Sequence, residues 1–358
     1  MSEARLLIYA INGKGMGHLN RTLVLARAAK AFAPETQILF AVASPLFWLV
    51  RDSGFPVLKV PDRNHTLGFH AGKPARAHHL HAVFAPIFDW YKPTAFVVDM
   101  TINERLFRES SKHGAQVAVV LRKQRASVLA TSRRDPAIKY IDRFLVPHPE
   151  DESPLAEIPH RWRSRVRRVG AVVRTLQVER IPEAKARYSA SGRPLVVVTI
   201  GGGGFAESYD TLRAAEQAAV SSATEFDWVI VYGPYFTGTI PKSDGNIHRV
   251  KFDPDLLELC AAADVIICNA GYNTIRELAV AGTPAVVIPL KGTGADDQFE
   301  RATLLAREGR AVIGQANAEA LLGQVRQLAQ ASPTLRRAPE PGELATILGQ
   351  RFLDALAT

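Results

Sequence analysis

The residues best suited to chemistry lie between Asp264 and Ala302, in the run DVIICNAGYNTIRELAVAGTPAVVIPLKGTGADDQFERA. A turn of small residues, Asn269-Ala270-Gly271, opens a helical pattern over residues 272–281. Gly271 lets the backbone come close to a ligand, and the N–H groups of Tyr272, Asn273 and Thr274 add to the positive end of the helix dipole. The natural occupant of such a place is an anion, phosphate above all. Glu277, six residues past Gly271, stands almost two turns along the helix, where its carboxylate can accept two hydrogen bonds from a vicinal diol such as a ribose. Asp297 and Gln298 carry side chains suited to sugar hydroxyls. Far upstream, His18 follows Gly13, Gly15 and Gly17 at the start of another helix, where the dipole favours the neutral imidazole that a general base requires.

These residues need elements that hold them. Residues 264–268 read as a strand, 272–281 as a helix, Gly282-Thr283-Pro284 as a turn and 285–290 as a second strand. That is a βαβ unit with a polar loop at each strand's carboxyl end, where open parallel sheets take their ligands. Residues 5–11, the glycine loop and a helix over 19–31 form a similar first unit. Its spacing is G-x-G-x-G instead of G-x-G-x-x-G, and the strand at 37–42 runs into Ala43-Ser44-Pro45 with no acid for a ribose, so a dinucleotide fingerprint is excluded. The strand 95–98 ends in Asp99, which convergence of strand ends can bring near His18; capping of a helix that starts near Thr101 is the competing role. A buried strand over 194–200 enters Gly201-Gly202-Gly203-Gly204, whose entropic cost calls for some close approach. Asp253-x-Asp255 has the look of a metal-binding pair, but Asp253 as cap with Pro254 in the first turn explains it more simply.

A chain of 358 residues with 47% hydrophobic and 22% charged residues suits two globular domains. No apolar run is long enough to span a membrane, and the start MSEARLLIYAINGKG reads as a first strand and not as a secretory signal. Cys260 and Cys268 are the only two cysteines and read as buried free thiols in a reducing cytoplasm. The formal charge of +9 favours anionic partners; no nucleic-acid module motif accompanies it, so a nucleic-acid partner is not expected. Half of the ten histidines, His65, His70, His78, His79 and His81, sit in a basic segment whose spacing matches no standard metal site, and no metal is expected. Five arginines fall within the eight residues 161–168, either a solvated face or a patch for peripheral membrane contact.

The small-residue turn, the glycine, the glutamate six residues on and the Asp/Gln loop after the next strand resemble the MurG-like glycosyltransferases (family 28 type). The resemblance implies an α/β protein of GT-B architecture, two Rossmann-like domains facing across a cleft. The implied boundaries are an acceptor domain over 1–176, a linker over 177–192, a donor domain over 193–340 and a returning helix over 341–358. It further implies that Asn269 and Gly271 to Thr274 hold the nucleotide diphosphate, that Glu277 grips ribose, and that Asp297 and Gln298 read the donor sugar. Gly201, Gly202 and Gly203 are placed under the donor phosphates, Arg174 within reach of the diphosphate, and Lys251 and Phe252 beside the uracil ring. By the same likeness His18 is the base, Asp99 its orienting partner, and Gly17 and Asn20 contacts for the acceptor. The implied reaction is an inverting transfer from a nucleotide sugar, expected to be UDP-linked, to an acceptor hydroxyl or amine, with no cofactor or metal. A UDP-sugar hydrolase or epimerase of the same architecture, or a non-catalytic nucleotide-sugar binder, are the competing readings.

Overall fold

The computed structural model describes residues 4–11, 15–61, 80–100, 102–123, 135–148, 158–189, 192–291, 297–337 and 345–357. The chain forms two compact units: Met1–Gly13 with His18–Val172 and Glu343–Thr358, and Lys14–Gly17 with Val173–Gly342.

The first unit is built on seven parallel strands: β1 (Arg5–Ala10), β2 (Gln37–Val42), β3 (Val57–Lys59), β4 (Ala95–Asp99), β5 (Gln116–Val120), β6 (Arg143–Val146) and β7 (Val166–Arg168). Their order is β3-β2-β1-β4-β5-β6-β7. Helices α1 (Gly17–Phe32), α2 (Trp48–Asp52), α3 (Leu80–Tyr91) and α4 (Glu104–Lys112) connect them. The inner strands are uninterrupted apolar runs because both faces are covered; Leu6 to Ala10 and Ala95 to Asp99 are all buried. One face holds an aromatic cluster in which Phe88 meets Phe96 edge to face at 5.2 Å and Phe84 meets Tyr9 at 5.1 Å.

The second unit has six parallel strands: β8 (Leu195–Thr199), β9 (Asp227–Val231), β10 (Ile247–Val250), β11 (Val265–Asn269), β12 (Ala285–Ile288) and β13 (Ala311–Ile313). Their order, β10-β9-β8-β11-β12-β13, repeats the arrangement of β1 to β6, the doubly wound pattern whose direction reverses between the first and fourth strands. Leu195 and Val197 face one core and Val196 and Val198 the other, as a period of two requires. All four are fully buried, and each such side chain contributes roughly 1.5–3 kcal/mol of transfer free energy. The helices are α5 (Ile181–Ala186), α6 (Ser208–Ser221), α7 (Leu256–Ala262), α8 (Tyr272–Ala281), α9 (Gln298–Arg307) and α10 (Ala318–Leu335). A last helix, α11 (Ala345–Ala357), belongs to the first unit. A Cβ on Gly349 would stand 1.9 Å from the Ala28 carbonyl oxygen, so α11 lies backbone to backbone on α1 there.

One expectation needs correction. Helix α7 starts at Leu256 with Asp255 as its N-cap, two residues later than a cap at Asp253 requires. Asp253 instead accepts the Asp255 N–H at 2.7 Å and is held by Arg187 and by Tyr188 Oη, at 3.1 and 2.6 Å, tying α5 to the α7 turn. Burial, then the hydrogen bond to Asp253, pushes the Tyr188 phenol above its ordinary range. Helix α10 continues through Pro333 to Leu335. Residues 166–168 form an edge strand, β7, and residues 136–140 a 3₁₀ turn. Cys260 and Cys268 are buried and free, and burial pushes the Cys268 thiol up to about 12.

Candidate active site

In the first unit the chemistry gathers where β1 and β4 part. His18 and Arg21 stand three residues apart on the first turns of α1, hence on one face, and both turn to Asp99, the last residue of β4. Arg21 grips the carboxylate in a fork, with Nη2 at 2.9 Å from Oδ1 and 2.8 Å from Oδ2 and Nε at 3.2 Å from Oδ1. His18 Nδ1 lies 3.3 Å from Oδ2 but outside hydrogen-bond geometry, and has no hydrogen-bond partner. The contact is one of charge and orientation, and it leaves Nε2 as the ring nitrogen directed away from the acid. Burial alone would raise the Asp99 pKa, but Arg21 and then His18 outweigh it and hold the carboxyl below its usual value. The next residue, Met100, has φ of 60°, a left-handed conformation rare for a side chain of this kind. It is fixed by its N–H on the Val120 carbonyl at 3.1 Å, and it turns the chain away directly after the acid.

The second unit carries the other constellation at the ends of β8 and β11. Gly271 is the N-cap of α8, with no side chain capping it, and the intrahelical ladder begins with Ile275 N–H on the Gly271 carbonyl at 3.0 Å. A Cβ on Gly271 would meet nothing closer than Thr274 Oγ1 at 3.4 Å, and its φ of −62° is ordinary. Among the described residues neither conformation nor packing requires glycine there. Glu277 is partly buried and its Oε1 receives Arg174 Nε at 2.7 Å. Arg174, expected within reach of a diphosphate, donates from Nε to the glutamate; burial opposes its charge and the Glu277 carboxylate sustains it.

The glycine loop after β8 has its own reason. Gly203 has φ of 78°, and a Cβ on it would stand 2.3 Å from the Tyr232 carbonyl oxygen; one on Gly202 would stand 2.7 Å from Gly15 Cα. Backbone packs on backbone there, which is the close approach the run requires. Gly203→Ala should therefore cost several kcal/mol of stability by strain and overlap together, measurable by chemical denaturation; a loss under about 1 kcal/mol would contradict the packing.

The remaining candidates divide. Asn273 Nδ2 donates to the Gly17 carbonyl at 3.1 Å. Asn269 is buried in β11, its amide nitrogen donating to Thr211 Oγ1 and the Ile288 carbonyl while its Oδ1 has no hydrogen-bond partner among the described residues. Tyr272 is buried and carries Arg276 over its ring. Asp297 caps α9 by accepting Glu300 N–H at 2.9 Å. Gln298 is buried and accepts Leu290 N–H at 3.1 Å, leaving its amide nitrogen for another group. Lys251 is exposed, and Phe252, Asn20 and Thr274 are half-buried. His65, His70, His78 and His79 lie outside the described residues. Arg301, not singled out in the sequence, donates from Nε and Nη2 to the Ala270 carbonyl at 3.2 and 3.0 Å. It braces the turn before α8 from α9; its position three residues past Gln298, on the same helix face, was the available signal.

The fold is shared with known proteins. Residues 195–343 match the glycosyltransferase family 28 C-terminal domain. The UDP-N-acetylglucosamine--N-acetylmuramyl-(pentapeptide) pyrophosphoryl-undecaprenol N-acetylglucosamine transferase of Acetivibrio thermocellus is 26% identical over 318 residues, 85% of this chain and 83% of that protein. Among solved structures, MurG of Acinetobacter baumannii superposes with a TM-score of 0.57 at 16% identity, covering 99% of each chain. The spinosyn forosaminyltransferase SpnP superposes with a TM-score of 0.67 at 16% identity over 100% of both. Residues 195–343 thus match the carboxyl-terminal domain of glycosyltransferase family 28, and the two doubly wound parallel sheets have the fold of solved GT-B glycosyltransferases.

Proposed function

We propose that the enzyme is an inverting glycosyltransferase whose second unit binds a UDP-sugar and whose first unit supplies the base. The observation that carries the donor reading is the uncapped start of α8 at Gly271 with the Glu277 carboxylate further along the same helix. An anion is stabilised at such a helix start, and a fixed carboxylate can accept both hydroxyls of a ribose. Gln298 and Asp297, at the next strand end, stand for the donor sugar, and Lys251 and Phe252 for the base. Metal independence is part of this reading, because helix starts and arginine can carry the charge of the departing diphosphate.

In the transfer, His18 Nε2 takes the acceptor proton as the acceptor oxygen or nitrogen attacks the anomeric carbon. The bond from that carbon to the UDP oxygen breaks on the opposite face, the diphosphate leaves with the electron pair, and the configuration inverts. Asp99 stabilises the imidazolium so formed, as a buried acid 3.3 Å from Nδ1 can.

The activities for which the relatives are named make an N-acetylglucosamine donor and a polyprenyl-linked acceptor the first to test. An acceptor of that kind fits peripheral contact with the cytoplasmic face of a membrane, for which the arginines around Trp162 are the candidate patch; Arg161 and Arg165 lie over its ring at 5.2 and 4.3 Å. Among the described residues no helix is long and apolar enough to cross a membrane.

Glu277→Gln should weaken UDP binding by about 1.5–3 kcal/mol, the size of a hydrogen bond to a charged group. Calorimetry giving equal affinity would end the ribose assignment. Acceptor-dependent release of UDP that persists in EDTA is the expected activity; sugar released from UDP without acceptor would identify a hydrolase instead, and complete loss on chelation would remove metal independence.

A further inference from the structure

Arg174 reaches Glu277 from 103 residues upstream, and the manner of its approach is informative. Only Nε is engaged, at 2.7 Å from Oε1. Neither Nη nitrogen, nor Oε2 of Glu277, has another hydrogen-bond partner among the described residues. The base of the arginine is fixed: Leu176 is buried in the core between the sheet and α7 with Val173 against it, and Gln177 N–H donates to Glu258 Oε1 at 3.1 Å. Both side chains are about four-fifths buried, 23% and 19% exposed, so the pair is shielded from the screening that makes surface ion pairs weak.

A glutamate that clasps a diol must hold one rotamer, since two oxygens have to meet two hydroxyls at once. A guanidinium donating from Nε alone supplies that condition without covering the second oxygen. An arginine that served the diphosphate in the first place would not need its Nε committed to a carboxylate in the same unit. We infer that Arg174 is a positioning residue: it fixes Glu277 for the ribose, and its contribution to donor binding is selectivity for ribonucleotides over 2′-deoxyribonucleotides. This rests on the reading of Glu277 as the ribose clasp given above.

The test is calorimetry of the full chain with UDP, 2′-deoxy-UDP and uridine, on the parent protein, Arg174→Gln, Arg174→Lys, Glu277→Gln and the Arg174→Gln/Glu277→Gln double variant. The parent should prefer UDP to 2′-deoxy-UDP by about tenfold or more, the range for loss of a hydrogen bond to a charged group. Arg174→Gln should bring that ratio down toward the value of Glu277→Gln, weaken uridine as well as UDP, and add little in the double variant, because the two residues act as one. Arg174→Lys keeps a cation without the Nε geometry; it should lower the ribose selectivity while keeping the preference for UDP over uridine, and it reads the same quantity should the glutamine variant not fold. If Arg174→Gln weakens UDP and 2′-deoxy-UDP equally and leaves uridine unchanged, Arg174 is a diphosphate ligand and the inference fails while the Glu277 assignment stands. If Glu277→Gln itself leaves the ribose selectivity intact, both the assignment and the inference fall.

Discussion

His18→Ala lowers turnover by roughly 10²–10⁴-fold, the range for removing a positioned general base, and leaves donor affinity nearly unchanged. The separation follows from the architecture. His18 and Asp99 belong to the first unit, whereas Glu277 and the start of α8 belong to the second, so the loss falls on kcat and not on the binding of UDP. The pH profile of kcat/KM should lose its acidic limb in the same variant. A rate within a few-fold of the parent would remove His18 from the base role.

Arg21→Ala is expected to destabilise the chain by about 3–5 kcal/mol, the cost of leaving a buried charge without its partner. Asp99 has no exposed surface, and Arg21 is its principal cation. The sign of the pH dependence follows. With its folded pKa held below the unfolded value near 3.9, Asp99 contributes stability that is present above that value and is lost as pH falls through the folded one. Without Arg21, burial is opposed by His18 alone. The penalty should therefore be largest near neutral pH and shrink in acid, where a buried carboxyl that has lost its cation takes up a proton. Urea denaturation at pH 7 and at pH 4 measures both numbers; a variant as stable as the parent at pH 7 would show that the fork contributes nothing.

The legible parts of the fold were those written in local pattern. Strand β2 and helix α8 have the bounds that their apolar periodicity predicts, because inner strands of a parallel sheet are apolar throughout and Gly282, with φ of 70°, ends α8 in the left-handed conformation. Strand β7 was not legible: Val166-Arg167-Arg168 has one apolar residue, and an edge strand tolerates charge that an inner one does not. At the site, the position of Glu277 relative to Gly271 followed from helical spacing. Its ion pair with Arg174 did not, since 103 residues separate the two and only the packing of 173–177 brings them together. The same holds for the Arg21 fork on Asp99, 78 residues apart. For Asp253 the local cap explanation competed with a tertiary one, the cation of Arg187, and the tertiary one won.

A crystal structure of the chain with UDP bound tests the central claim most directly. The account predicts a diphosphate at the N–H groups that open α8, from Tyr272 to Thr274, with both ribose hydroxyls on the Glu277 carboxylate. UDP bound away from the carboxyl ends of β8 and β11, or a ribose out of reach of Glu277, would contradict it.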